Sequence, residues 1–178
     1  ENWPVESTDS VTRATLEQGG NTLTVDVSED ADGNKTYTAS DTACTETPDT
    51  AAAQAFISSA ATLYFSSSAD FKPTDEALAA YGLAEPSATL TVEWTRTDDA
   101  SGAQESVTSV LYLGTVDANG DYYARLADSN AVSTLNATAL SGVLGMTLDG
   151  MLPAEEESAP ESAPASESGS VSAASAAD

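Results

Sequence analysis

Two short loops contain the residues whose types and spacing come closest to a metal site. Each loop places carboxylate or amide oxygens at alternate positions, as calcium-binding loops do. The six residues are Asp30, Asp32 and Asn34 in the first loop and Asp117, Asn119 and Asp121 in the second. With glycine at the sixth loop position, Ala39 or Leu126 stands where calcium needs a bidentate glutamate. Because Asp-Gly and Asn-Gly also suit tight hairpin turns, we interpret the loops as turns and keep these residues as candidate ligands of a weak cation site.

Four aromatic residues on predicted strands form the second candidate site. They are Trp94, Tyr112, Tyr122 and Tyr123. Aromatic side chains on neighbouring strands usually pack in the core or against one another. If they were exposed together, they would instead offer a stacking surface for a sugar or a peptide.

The remaining residue types exclude most catalytic chemistry. The chain has no histidine, which removes Ser-His-Asp and Cys-His catalysis and every metal site with an imidazole ligand. Its single cysteine, Cys44, excludes an internal disulfide. A carboxylate pair acting on a neutral glycan is the chemistry that is left, and no local sequence singles out such a pair. We therefore predict no catalytic residues, no cofactor and no enzymatic activity.

The charge of the chain excludes further classes of partner. Asp and Glu total 29 of the 178 residues against five Lys and Arg, which gives a formal charge of −24. Nucleic acid and anionic membrane surfaces both attract cationic proteins, so neither is an expected partner. The apolar runs are far shorter than the ~20 residues that span a bilayer, which predicts no membrane span. The acids are scattered, as expected for a soluble surface in a salty extracellular medium.

The composition divides the chain at Pro153. Residues 153–178 consist almost entirely of Ala, Ser, Glu and Pro, with six acids and no base. Such a segment buries too little apolar surface to offset its ordering entropy, so we predict a disordered acidic tail. Residues 1–152 are long enough for a single domain.

The body alternates between strand and helix patterns. Strands are predicted at 11–16, 22–28, 35–39, 88–95, 107–114, 122–126 and 131–135. Helices are predicted at 47–65, at about 75–81 and after Asn136, with Thr47 as the cap and Pro48 as the first residue of the longest helix. Hairpin turns between the strands make the pairing antiparallel, so we predict an α+β fold of antiparallel meanders with helices packed on one face. The order of elements suggests a repeated βββα unit.

Nine residues are predicted to form the core because they recur at strand or helix spacing. They are Phe56, Ile57, Leu63, Leu90, Val92, Leu111, Leu113, Leu140 and Leu144.

Several short segments, taken in order, resemble the bacterial family called domain of unknown function 4340. The most specific is Tyr-Gly-Leu-Ala-Glu-Pro at residues 81–86, followed by a strand at 88–92. The weaker segments are Leu-Tyr-Leu-Gly at 111–114, Tyr-Tyr-Ala-Arg-Leu at 122–126 and the short strand at 132–135. The resemblance extends over nearly the whole body and leaves out the tail.

The resemblance implies a cell-envelope protein that faces outward and is anchored by an N-terminal membrane segment. Some relatives are associated with ABC-type transport systems, including gliding-motility-like ones, and no catalytic residues are established for the family. We therefore expect an extracytoplasmic protein, at the cell surface or secreted, whose anchor is absent from this sequence. Its expected role is a non-catalytic interaction or accessory module with envelope or transport proteins as partners. The alternative is a ligand-binding module for a glycan, a peptide or a weakly held cation, with the small-molecule ligand unknown.

Removal of the tail tests the predicted domain boundary. Truncation after Leu152 should leave the melting temperature of the body unchanged within error, because the tail contains almost nothing apolar to pack. Thermal unfolding of the two chains, followed by circular dichroism, is the measurement. A decrease of several degrees would show that the tail packs on the body.

Overall fold

A computed structural model describes residues 2–153, in which nine β-strands form one sheet and three α-helices accompany it. The strands are β1 (Val11–Gln18), β2 (Asn21–Glu29), β3 (Lys35–Ser40), β4 (Thr45–Glu46), β5 (Phe65–Asp70), β6 (Ala88–Thr97), β7 (Gln104–Val116), β8 (Tyr122–Leu126) and β9 (Val132–Leu135). The helices are α1 (Thr50–Ala61), α2 (Asp75–Ala80) and α3 (Ala137–Leu140). The predicted tail lies outside the described residues apart from Pro153.

The sheet is antiparallel throughout. Its strand order is β4-β3-β2-β1-β6-β7-β8-β9-β5, and each neighbouring pair runs in opposite directions. The α+β fold class is therefore confirmed. The predicted repeat of three strands and a helix has four strands in each unit. Strands β1 to β4 precede α1, and strands β6 to β9 precede α3.

One face of the sheet, here called the core face, carries the main core. Strand pairing places Leu90 beside Leu16 on one side and beside Leu111 on the other, and all three side chains are buried. Helix α1 contributes Phe56, which is fully buried in the same cluster; a side chain of this size stabilises the fold by about 1.5–3 kcal/mol on burial. Eight of the nine predicted core residues are buried, and Leu144 is partly buried.

The ends of α1 differ from the prediction at both termini. Asp49, rather than Thr47, caps the helix, because its carboxylate accepts a hydrogen bond of 2.9 Å from the Ala52 N–H. Pro48 therefore precedes the cap. The helix ends at Ala61, and the polar segment after Tyr64 is strand β5, which the sequence pattern did not predict.

Helix α2 lies on the opposite, outer face of the sheet, so the prediction that the helices pack on one face holds for α1 and α3 but is wrong for α2. Tyr81, the C-terminal cap residue of α2, places its ring 4.6 Å from the ring of Tyr123. Tyr123 alternates along β8 with Ala124, which is fully buried in the main core, so the two side chains leave opposite faces.

Two glycines allow α2 to approach the sheet closely. The Tyr81 carbonyl oxygen accepts hydrogen bonds from the Thr115 N–H at 2.9 Å and from the Thr115 hydroxyl at 3.1 Å. A β-carbon at Gly114 would lie 2.0 Å from that oxygen. Gly82 has a φ of +71°, which L-residues rarely adopt, and its own β-carbon would lie 2.8 Å from the Thr115 side chain. The contact between α2 and β7 therefore requires glycine at both positions.

None of the helices within residues 2–153 is long and apolar enough to cross a membrane.

Substitution of Gly114 tests this close approach. Gly114→Ala should destabilise the fold by about 1–3 kcal/mol, because the new methyl group displaces the Tyr81 carbonyl or the strand. Urea unfolding gives the free energy. Gly150→Ala is the matched control, since a β-carbon there would lie an ordinary 3.5 Å from the nearest atom. Equal stability of the two variants would contradict the proposed constraint.

Candidate functional site

In the first acidic loop, the Asp30 carboxylate binds the backbone of the loop itself. One Asp30 carboxylate oxygen, Oδ1, accepts hydrogen bonds of 2.9 Å from the N–H groups of both Asp32 and Asn34. The other, Oδ2, accepts one of 3.0 Å from the Asn34 side-chain amide. These bonds, first of all that from the Asn34 side chain, lower the pKa of Asp30 below its ordinary value of 3.8.

The second loop repeats this arrangement between β7 and β8. Asp117 Oδ1 accepts from the Asn119 N–H at 2.8 Å and from the Asp121 N–H at 3.0 Å, and the latter bond is the main cause that lowers the Asp117 pKa. Asp121 Oδ1 in turn accepts a hydrogen bond of 2.9 Å from the side-chain amide of Asn136, the cap residue of α3. In residues 2–153 no three His, Cys, Asp or Glu side chains come together as a group that could hold a metal ion. Both loops act as hairpin turns here.

The four candidate aromatic residues are divided between the two faces. Trp94 is 3% exposed in the main core, where its indole N–H donates 3.0 Å to the Ser109 hydroxyl. Tyr122 packs partly buried against the same core. Tyr112 and Tyr123 lie on the outer face, so only these two of the four candidates are available on that face.

A row of aromatic and basic side chains crosses the outer face beside α2. The Tyr81 ring contacts the Tyr123 ring at a tilt of 42°. Arg125 follows Tyr123 on the same strand, β8, and its guanidinium carbon lies 5.3 Å from the centre of the Tyr112 ring on β7, which is within the range of a cation–π contact. Arg125 and Tyr112 are also directly paired across β7 and β8.

A cavity of about 630 Å³ opens between α2 and the turn after β8, and we call it the outer cavity. Its lining residues come from two segments that are far apart in the sequence. They are Phe71, Lys72, Pro73, Asp75, Leu78, Arg125, Ser129, Asn130 and Ala131.

A second concave region, of about 480 Å³, lies between the β1–β2 turn and the segment after α3. Gln18 joins the two walls of this region, because its side-chain oxygen accepts a hydrogen bond of 2.8 Å from the Gly145 N–H. Asp41 lies in its lining, but its carboxylate accepts hydrogen bonds from the N–H groups of Ala43 and Cys44. These bonds, led by that from Cys44, lower the pKa of Asp41.

The groups with displaced pKa values are five carboxyl groups and one thiol. The carboxyl groups with displaced pKa values all have lowered ones, so they carry no proton at neutral pH and cannot act as general acids; they are Asp9, Asp30, Asp41, Asp98 and Asp117. Partial desolvation, together with the Asp41 carboxylate, raises the pKa of the Cys44 thiol, which disfavours the nucleophilic thiolate.

Strand β5 forms a free edge of the sheet. It pairs with β9 on one side, and among the described residues no strand pairs with its other side. Four of its six residues are exposed. Exposed aromatic residues stand at both ends: Tyr64, 61% exposed, precedes the strand, and Phe71, 76% exposed, follows it.

The sequence interpretation did not single out Tyr81, Arg125, Phe71 or Lys72 as site residues. Two signals were present. Arg125 and Lys72 are two of only five basic residues in the chain, and Tyr81 begins the most specific segment of the family resemblance. Phe71 carried no such signal, because its exposure depends on where the chain leaves β5.

Comparison with known families confirms the resemblance. The family described as Domain of unknown function (DUF4340) matches residues 46–149, which include all three helices and strands β5 to β9. The outer cavity and the free edge of β5 both lie within the matched segment. No curated protein and no solved structure matches the chain.

The lowered pKa of Asp117 predicts how stability depends on pH. A group whose pKa is lower in the folded state stabilises the fold above its unfolded pKa, and this contribution disappears as the pH falls through the folded value. Asp117→Asn should therefore have a lower melting temperature than the wild type at about pH 7, and the difference should disappear as the pH falls through the lowered pKa of Asp117. Asp99→Asn, which also removes an exposed carboxylate, is the control. A constant difference between Asp117→Asn and the wild type across the pH range would contradict the assignment.

Proposed function

Because this chain belongs to the DUF4340 family, whose description assigns no activity, we propose its function from its geometry. It is a non-catalytic, extracytoplasmic interaction or accessory module of a bacterial cell-envelope or transport complex. The observation that carries this proposal is the free edge of β5 with an exposed aromatic residue at each end.

The edge of β5 is suited to bind an extended segment of another protein. A strand with an unpaired side presents N–H and C=O groups that a partner strand can pair with. Natural sheets block such edges with lysine, proline or very short strands. Strand β5 contains neither lysine nor proline, although its pairing with β9 is irregular at two points, whereas β4 at the opposite edge has only two residues. The binding edge is therefore β5.

The two aromatic residues supply the apolar part of the contact. Large aromatic side chains provide much of the binding energy at protein interfaces. Tyr64 and Phe71 lie immediately before and after β5, so a strand added to this edge runs between them.

The location and the lack of catalysis rest on separate support. The extracytoplasmic location follows from the cell-envelope character that the resemblance implies, and the acidic surface fits a salty external medium. The absence of catalysis is supported by the carboxylates with lowered pKa values, which serve their own loops and turns or, at Asp9, an ion pair with Lys35.

Site-specific photo-crosslinking in the native bacterium tests the edge. A photoreactive amino acid at Ser68 in β5 should crosslink to a defined protein partner, whereas the same probe at Thr108, exposed on the central strand β7, should not. Phe71→Ser should lower the yield at Ser68 by roughly tenfold, as expected when an interface loses an aromatic anchor.

Val116→Ser is the matched control. Val116 is also an exposed apolar residue, but it lies on β7, which β8 and β9 separate from β5 in the sheet. It should leave the yield at Ser68 unchanged. Equal crosslinking from Ser68 and Thr108, or a yield insensitive to Phe71→Ser, would overturn the proposal.

A further inference from the structure

We propose that the outer cavity binds a carboxylate that is attached to an apolar group. The inference goes beyond the proposed function, since it concerns a small concave site beside β5 and not the strand edge. It rests on where the chain places its few positive charges and on the unused hydrogen-bond donors of Arg125.

Three of the five basic residues have carboxylate partners. Arg13 pairs with Asp26 and Glu93, at 2.6 and 3.5 Å. Lys35 pairs with Asp9 at 2.8 Å, and Arg96 pairs with Glu105 at 3.0 Å; these are surface pairs that hold the basic groups in place.

The other two basic residues, Lys72 and Arg125, meet at the outer cavity. Within residues 2–153 neither has a carboxylate oxygen within ion-pair distance. Asp75 is the one acid in the cavity lining, so the lining carries a net positive charge in a strongly acidic protein. A local positive charge in such a setting is an attraction point for one anionic group.

Arg125 has donors available for that anion. A guanidinium group carries five N–H donors in a planar fork, which matches the two oxygens of a carboxylate. One nitrogen, Nη1, donates 3.3 Å to the Ser129 carbonyl oxygen. The Nε atom also has no hydrogen-bond partner among the described residues but is buried, so the donors left for a ligand are the remaining N–H groups of the two Nη atoms. The Tyr112 ring and the Ser129 carbonyl hold the fork, which therefore needs little further ordering to accept a carboxylate.

The remaining lining explains why the anion should carry an apolar group. Phe71, Pro73 and Leu78 form an apolar side of the cavity. Phe71 is 76% exposed, so a ligand that covered its ring would remove apolar surface from water.

The charge also sets the kind of anion. A carboxylate carries a single negative charge, which the net charge of the lining can balance. A phosphate dianion would leave an excess negative charge, which the acidic body would repel. A monocarboxylate with an aromatic or aliphatic substituent is therefore the ligand class that fits.

Phenylacetate is the probe, titrated into the full chain and followed by the amide chemical shifts in NMR. We expect saturable shifts at residues 71–78 and 125–131. Phenylacetamide, which has the same shape without the charge, should bind at least about tenfold more weakly, as expected for the loss of a charge-assisted hydrogen bond.

Two variants identify the cationic groups. Lys72→Gln and Arg125→Gln should each raise the dissociation constant for phenylacetate, with roughly a tenfold effect at Arg125. Arg96→Gln removes an equivalent charge from β6, outside the cavity lining, and should have no effect. Should Arg125→Gln fail to fold, Lys72→Gln and the map of shifts still decide the outcome.

Equal binding of phenylacetate and phenylacetamide would overturn the inference. So would shifts that lie outside the two segments, or an affinity that Lys72→Gln and Arg125→Gln leave unchanged. Because the edge of β5 is tested by crosslinking at Ser68, failure of one proposal leaves the other standing.

Discussion

The outer face of this domain depends on one close contact, between the Tyr81 carbonyl oxygen and Gly114. Strand β7 can pass beneath the end of α2 only because Gly114 lacks a side chain, and Thr115 then donates two hydrogen bonds to the same oxygen. That contact fixes the position of the Tyr81 ring over Tyr123. It also fixes the position of α2, which forms one wall of the outer cavity. A backbone contact at Gly114 therefore determines the shape of a site that Gly114 itself does not line.

The same contact gives a physical meaning to two segments of the family resemblance. Tyr-Gly-Leu-Ala-Glu-Pro at 81–86 and Leu-Tyr-Leu-Gly at 111–114 are distant in sequence but touch in the structure. Ser87, which follows the first segment, donates both its N–H and its hydroxyl to the Leu113 carbonyl oxygen at the end of the second. Two segments that carry the resemblance therefore also attach α2 to the sheet.

The sequence predicted those parts of the fold that local chemistry determines. The hairpin turns followed from Asp-Gly and Asn-Gly, and β8 was predicted with its bounds intact as the returning strand of the second hairpin. Strand β5 was not predicted, because its Ser-rich residues have little strand preference of their own and are held in place by pairing with β9. The candidate aromatic surface divided between two faces because Tyr122 and Tyr123 are adjacent in one strand, where successive side chains point in opposite directions. The outer cavity could not be predicted from local patterns, since residues 71–78 and 125–131 meet only through the sheet.

The position of β5 in the sheet also constrains the order in which the domain can fold. Phe65 pairs with Leu135, so a ribosome makes β5 well before its partner strand β9 exists. Strands β1, β2 and β3 can form hairpins as they are made, but β5 must wait until β6, β7 and β8 have been synthesised and paired. Closing so long a loop is entropically costly, and contacts of this kind form slowly. The edge that β5 forms is thus completed by the last pairing of the chain, and until β9 is made β5 has no partner strand.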